Sequence, residues 1–200
     1  MARVNDTALL VVDMEEDFVR GPMAVPGAEA LARRLAPLVA AARNAGVTIV
    51  FVTQSLRPGD LGPLARFDDV RDGRVLREGT PGVRVVPELG AQASDCFVTK
   101  RRFGAFLGTD LDLLLRTRGV TRVVVCGVSA HVCCDTTVRE AFQLGYDPLY
   151  LVDGVSMGDL PDLGWGTVSA DDAQRVVATT IAHRFGAVAT IDDLLATLRP

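Results

Sequence analysis

The sequence predicts a three-layer α/β/α domain on two observations. Short β-branched runs alternate with longer segments rich in Ala, Leu and Arg, and those runs are apolar at nearly every position instead of alternating apolar with polar. A strand of that kind is buried on both faces, which calls for a parallel sheet with helices on each side. Six such runs occur, so the expected core is a Rossmann-like, mostly parallel sheet of about six strands.

Thr7 to Val12 (TALLVV) opens as a strand, Ala28 to Ala45 follows as a helix, and Val47 to Thr53 (VTIVFVT) completes a βαβ unit. Ser55 to Gly90 then breaks the rhythm with scattered Gly, Pro and charged residues. A connection of that length in a compact domain is a lid or a substrate wall. The alternation resumes with a strand at Asp95 to Thr99, a helix near Asp110 to Arg118, a strand at Arg122 to Cys126, a helix from about His131 to Leu144, and a strand at Leu149 to Val152. Asp171 to Phe185 reads as a helix and Ala187 to Thr190 as a last short strand. No internal repeat or low-complexity segment is present, so residues 1–200 are read as one domain.

Composition narrows the function classes. The 200 residues carry 21 basic and 25 acidic side chains, a net charge of −4, with 48% hydrophobic and 23% charged residues. A chain of this size can bury about 70% of its unfolded surface, enough for a core without disulfide staples. Basic residues cluster no further than Arg33-Arg34 and Lys100-Arg101-Arg102, so no footprint for a phosphate backbone exists and no nucleic-acid partner is expected. Apolar runs such as Ala8 to Val12 stop at four or five residues, against roughly 20 for a membrane span, and no signal-peptide pattern opens the chain. The four cysteines include the adjacent pair Cys133 and Cys134 and show no CxxC spacing, which fits reduced thiols in a cytoplasm.

Ligands of open parallel sheets bind outside the carboxyl ends of the strands. Three residues stand there: Asp13 after LLVV, Lys100 after CFVT, and Cys133 just past RVVVCGV, where a helix should begin. Singly they read as a cap, a solvated strand end and a small core residue. Together they suggest chemistry, because a thiol at a helix N-terminus beside a lysine has a depressed pKa and a nucleophilic thiolate, and a carboxylate can shuttle its protons. Helical phase separates the two adjacent cysteines. Cys134 shares an apolar stripe with Val138, Ala141, Phe142 and Gly145, whereas Cys133 falls with Thr137 and Glu140, off that stripe. Cys96 and Cys126 lie inside strands and read as inert core.

The motifs around these residues resemble the isochorismatase-like cysteine hydrolases over nearly the whole chain. VVDMEEDF (Val11 to Phe18) is similar to that family's strand-one signature, KRRFGAFLGTDLD (Lys100 to Asp112) to its lysine-containing stretch, and GVSAHVCCDTTVREA (Gly127 to Ala141) to its nucleophile motif. The resemblance implies a catalytic triad of Asp13, Lys100 and Cys133. It also implies a cis peptide at Val128–Ser129 that aims the Ser129 and Cys133 N–H groups at one point as an oxyanion hole. The implied reaction is hydrolysis of a C–N bond in a small amide, ureido or lactam substrate through a Cys133 thioester, with no cofactor.

Departures from the family pattern are as informative. Glu15 replaces a common Gln beside the substrate, Ala130 a common Thr, and Gly104 the Ser of a Ser-Ala-Phe-like tripeptide. Ser55 and Arg57 stand where nicotinamidase members carry the first metal-binding Asp and His, so no metal site is expected, and the two histidines, His131 and His183, are too far apart in sequence to build another. Phe18, Phe103 and Phe106 are expected to line an apolar pocket. His131 reaches the pocket or caps the helix, Trp165 walls the pocket or packs an interface, and Arg57, Arg66 and Arg102 are candidates for an anionic substrate group. His183 reads as a favourable charge at a helix end. A mean hydropathy of +0.26, taken with the resemblance, points to a homo-oligomer, a dimer or tetramer.

Three alternatives remain at this stage. The chain could hydrolyse a vinyl ether of the isochorismate type with Asp13 as acid, or be a non-catalytic binding module. Gly127-Val128-Ser129-Ala130-His131 also approaches a GxSxG elbow, with Ser129 and His183 as a rival nucleophile pair.

Overall fold

A computed structural model describes residues 6–198. Among them are six strands: β1 (Thr7–Val12), β2 (Thr48–Gln54), β3 (Cys96–Lys100), β4 (Arg122–Val128), β5 (Asp147–Ser156) and β6 (Ala187–Ala189). They form one sheet in the order β3-β2-β1-β4-β5-β6, and every neighbouring pair is parallel. The helices are α1 (Glu16–Val19), α2 (Ala28–Asn44), α3 (Asp68–Arg71), α4 (Leu111–Thr117), α5 (Asp135–Gln143), α6 (Ala170–Arg184) and α7 (Ile191–Leu198).

The side-chain period of β1 distributes the core. Leu9 and Val11 point to one face, where they join Leu31, Leu35 and Leu38 of α2 and Ile191 and Leu194 of α7. Ala8, Leu10 and Val12 point to the other, against Leu111 and Leu115 of α4, Val138 and Ala141 of α5, and Ala173 and Ile181 of α6. Both faces of the sheet are therefore covered, as continuous apolar strands require. Helix α7 goes beyond the sequence reading. Its start is set by a reciprocal cap, in which Asp193 N–H donates to Thr190 Oγ1 at 3.1 Å and Thr190 N–H donates to Asp193 Oδ2 at 2.9 Å.

Strand order places the site. The chain runs outward from β1 through β2 to β3 on one side, and from β4 through β5 to β6 on the other, so direction reverses between β1 and β4 and a crevice opens at their carboxyl ends. Gly127 lets β4 close that crevice tightly. Its φ is +119°, and a Cβ at this position would lie 2.0 Å from the carbonyl oxygen of Val12.

The Ser55 to Gly90 connection is a packed wall. Leu56 N–H donates to Leu76 O at 2.7 Å, Leu76 N–H to Asp17 Oδ2 at 2.6 Å, and Val86 N–H to Met14 O at 3.0 Å. Leu64, Val70, Val75 and Leu76 are buried in the same core as α2. Among the described residues no helix is long and apolar enough to cross a membrane.

Candidate active site

Asp13 follows the last residue of β1 with a φ of +53°, a left-handed conformation that Asp tolerates better than most residues. Its N–H donates to Val52 O at 2.8 Å, which ties the turned backbone to β2. Lys100 ends β3, and Gln54 ends the intervening strand β2. From there the Lys100 ammonium reaches inward to 2.9 Å from Asp13 Oδ2 and 3.5 Å from Cys133 Sγ. It also donates to Gln54 Oε1 at 3.0 Å and to Arg102 O at 3.1 Å. Asp13 and Lys100 are fully buried, and Cys133 is 4% exposed.

Cys133 sits in a π-helical turn, Ala130–Cys134, that leads into α5. The wider turn adds a residue before the regular helix and shifts its phase. The expected stripe holds only in part: Cys134, Val138 and Ala141 are buried, but Phe142 is 46% exposed, edge-on to Phe185, and Gly145, past the end of α5, is exposed. The Val128–Ser129 peptide is cis.

The face carrying Cys133 does not point to solvent. Thr137, fully buried, donates from Oγ1 to Cys133 O at 2.7 Å and accepts Ala105 N–H at 3.2 Å, and Glu140 Oε2 accepts Phe106 N–H at 2.9 Å. This face of α5 thus anchors the segment after Lys100. It also accounts for Gly104, where a Cβ would lie 2.2 Å from the carboxylate carbon of Glu140.

Burial works against the expected thiolate. Burial pushes the Cys133 thiol well above the usual range and the Asp13 carboxylate adds to this, while Lys100 opposes both without overcoming them. Burial also raises Asp13 above the ordinary carboxylate value, against the pull of Lys100. For Lys100, burial favours the neutral amine, but Asp13 and Cys133 outweigh it and hold the ammonium. Asp13 and Lys100 thus form a close buried pair, beside a thiol whose burial favours the protonated form.

Glu15 lies beneath this group. It is fully buried, its Oε2 accepts Gln54 N–H at 3.1 Å, and burial together with repulsion from Asp13 raises its pKa well above normal. Its Oε1 has no hydrogen-bond partner.

A cavity of about 250 Å³ opens above the sulfur, with Cys133, Ser129 and Gln54 at its polar end. Phe18 and Phe103 line it as expected, joined by Met23, Val25, Val132 and four wall residues, Leu64, Phe67, Val70 and Leu76. Gln54 was identifiable from its place at a strand's carboxyl end. The wall residues were not, because their direction depends on how the long connection folds.

Other expected lining residues lie elsewhere. Phe106 is buried against Tyr146, with ring centroids 5.6 Å apart. Arg57 lines a separate cleft of about 190 Å³ and pairs with Glu78 at 2.7 Å. Arg66 and Arg102 line a neighbouring cleft behind Phe67 and Phe103. Trp165 is 94% exposed in its Gly-rich connection. Glu15 does not line the cavity, and His131 meets it through Ser129, whose Oγ lies 3.1 Å from His131 Nδ1. That contact replaces the Ser129–His183 pair, since His183 is exposed on α6. Burial lowers the pKa of His131, although Asp135 opposes it, which favours a neutral ring. Among the described residues no group of three or more His, Cys, Asp or Glu side chains is placed to hold a metal ion.

Comparison with known proteins adds independent support. A family model described as the isochorismatase domain matches residues 7–193. An isochorismatase family protein of Bacillus subtilis, YwoC, is 35% identical over 153 residues, spanning 75% of this chain and 77% of that protein. Ureidoacrylate amidohydrolase RutB of Variovorax paradoxus is 27% identical, spanning 98% of this chain and 82% of the relative. The crystal structure of a cysteine hydrolase from Pseudomonas syringae pv. phaseolicola superposes with a TM-score of 0.91 at 34% identity, covering 98% of this chain and 94% of that one.

Proposed function

The chain belongs to the isochorismatase family, and from that premise we propose that it is a cysteine hydrolase cleaving the C–N bond of a small amide, ureido or lactam substrate. One observation carries the reading. Asp13, Lys100 and Cys133 form a contiguous buried set whose sulfur opens into a cavity of about 250 Å³.

In the proposed mechanism Asp13 takes the proton of the Cys133 thiol as the sulfur attacks the substrate carbonyl carbon. The S–C bond forms and the carbonyl electron pair moves to oxygen. Lys100 offsets the charge passing through the sulfur, and the N–H groups of Ser129 and Cys133 receive the oxyanion, donors of a kind worth about 3–4 kcal/mol of barrier. Collapse breaks the C–N bond, and Asp13 returns its proton to the leaving nitrogen. Water then attacks the thioester while Asp13 accepts its proton, and the acid departs as the proton returns to sulfur. The neutral resting thiol suits this cycle, since the base acts only when substrate is in place.

The finer features of the proposal rest on further observations. Cys96, Cys126, Cys133 and Cys134 are all free and buried, which supports a reducing, cytoplasmic setting. Exposed Leu163 and Trp165, and Phe97 on the edge strand β3, support a homo-oligomer.

The test is Cys133→Ala against a panel of amides, ureas and lactams, with ammonia release and intact mass as readouts. A Cys133-dependent acyl adduct or ammonia release is expected from the wild type, with none from the variant. Panel turnover that survives Cys133→Ala would sink the thioester mechanism, and vinyl-ether chemistry would show instead as cleavage of isochorismate that needs Asp13 but not Cys133.

A further inference from the structure

The cavity wall specifies more than a small substrate. Beyond Gln54, Ser129 and Cys133 at the sulfur end, its lining is apolar: Phe18, Met23, Leu64, Phe67, Val70 and Phe103 dominate. Among the described residues no cation lines it. The Lys100 ammonium has three protons and four acceptors already around it, Asp13, Gln54, the Arg102 carbonyl and the Cys133 sulfur, so it has no free donor for a substrate anion. Two guanidinium groups stand just outside. Arg66 lies over the ring of Phe67 at 5.7 Å, Arg102 donates to the Arg101 carbonyl, and both line the cleft behind the edge-on pair Phe67 and Phe103.

A carboxylate packed against the apolar part of this wall would give up hydration with no cation in exchange. An apolar group would fill it favourably. An apolar cavity of about 150 Å³ holds a benzene ring, so the roughly 250 Å³ here takes a ring or branched alkyl group and leaves room for an amide against the sulfur. It falls below the roughly 300–1,000 Å³ of pockets for drug-sized ligands.

We propose that the substrate of this site is an uncharged amide with a compact apolar acyl group, aromatic or branched aliphatic, and that carboxylate-bearing amides such as the ureidoacrylate named for one relative are excluded. The proposal rests on the cysteine-hydrolase reading for its reaction but on the wall alone for its selectivity, and the two are tested separately.

Ammonia release is measured for the isosteric pair 4-methylpentanamide and succinamate, and for benzamide. The neutral amides should exceed succinamate in kcat/KM by at least 100-fold, and Phe67→Arg, which adds a cation to the wall, should narrow that ratio at least tenfold. Equal or better turnover of succinamate, or an unchanged ratio in Phe67→Arg, overturns the assignment. Calorimetry on Cys133→Ala reads binding without chemistry. Tighter binding of benzamide than of succinamate supports the neutral apolar class even if no amide is hydrolysed by the wild type, an outcome that would count against the reaction alone. Tighter binding of succinamate, or binding of neither, overturns the class.

Discussion

The side chain of Glu15 accepts the backbone N–H of Gln54 at 3.1 Å, joining the segment after β1 to the last residue of β2 beneath the site. The same Gln54 accepts Lys100 Nζ through its side chain at 3.0 Å. Glu15 thus supports the residue that helps to orient the ammonium, in a place where only a neutral group is comfortable.

The protonation of Glu15 predicts how stability varies with pH. Its folded pKa lies well above the 4.5 of an unfolded chain, so the stability it contributes is full below about pH 4.5 and declines as pH rises toward the folded value. The decline is at most about 1.4 kcal/mol per pH unit. Glu15→Gln keeps the hydrogen bond and carries no titrating proton. In thermal denaturation at a series of pH values, the Tm of Glu15→Gln minus that of the wild type should grow from pH 5 to pH 8. A constant difference would show Glu15 to be ionised in the folded protein.

Asp13 holds the counter-charge of a fully buried lysine. Asp13→Asn should therefore destabilise the fold by about 3–5 kcal/mol, besides losing activity, because it strands the ammonium. Asp13→Asn combined with Lys100→Met should recover most of that stability while staying inactive. Urea unfolding of the three proteins decides this, and a single variant within about 1 kcal/mol of wild type would refute the ion pair.

Cys133 should be a slow thiol at neutral pH. Burial and Asp13 raise its pKa above the ordinary 9.0, so its alkylation rate with iodoacetamide should climb steadily from pH 7 to pH 9 without levelling off. Peptide mapping separates it from the three other cysteines. A plateau near pH 7 would mean a preformed thiolate and a different role for Asp13.

Gly104 and Glu140 are coupled. In Gly104→Ser the new Cβ would drive the Glu140 carboxylate from its place and break its bond to Phe106 N–H, a loss of about 1–3 kcal/mol. Glu140→Ala removes the same bond, so the double variant should be little worse than Glu140→Ala alone. Fully additive losses in chemical denaturation would contradict the shared contact.

How much of this was legible in the sequence follows from which interactions are local. The apolar runs of β1, β2 and β4 revealed a sheet buried on both faces, and residues just past strand ends, Asp13 and Lys100, inherit a common rim from the topology. Phe106 and Arg57 were misplaced, and Trp165 lies away from the cavity, because the direction of a loop side chain depends on contacts distant in sequence. The π-helical turn at Ala130–Cys134 differs from an α-turn only in hydrogen-bond register, which side-chain periodicity does not report. The surroundings of the Cys133 thiol were legible only in part, since a lysine nearby in the fold was visible and the depth of burial, which opposes a thiolate, was not.

Gly127 gives the site a hard stop. The backbone of β4 rests directly on Val12 O, one residue before Asp13 and two before Ser129, with no side chain between them. The spacing between the base and the proposed oxyanion donor is therefore set by peptide groups, which neither repack nor change rotamer. Libraries that recarve the half-exposed Phe67 for new substrates can accordingly vary the wall while the reactive centre keeps its gauge.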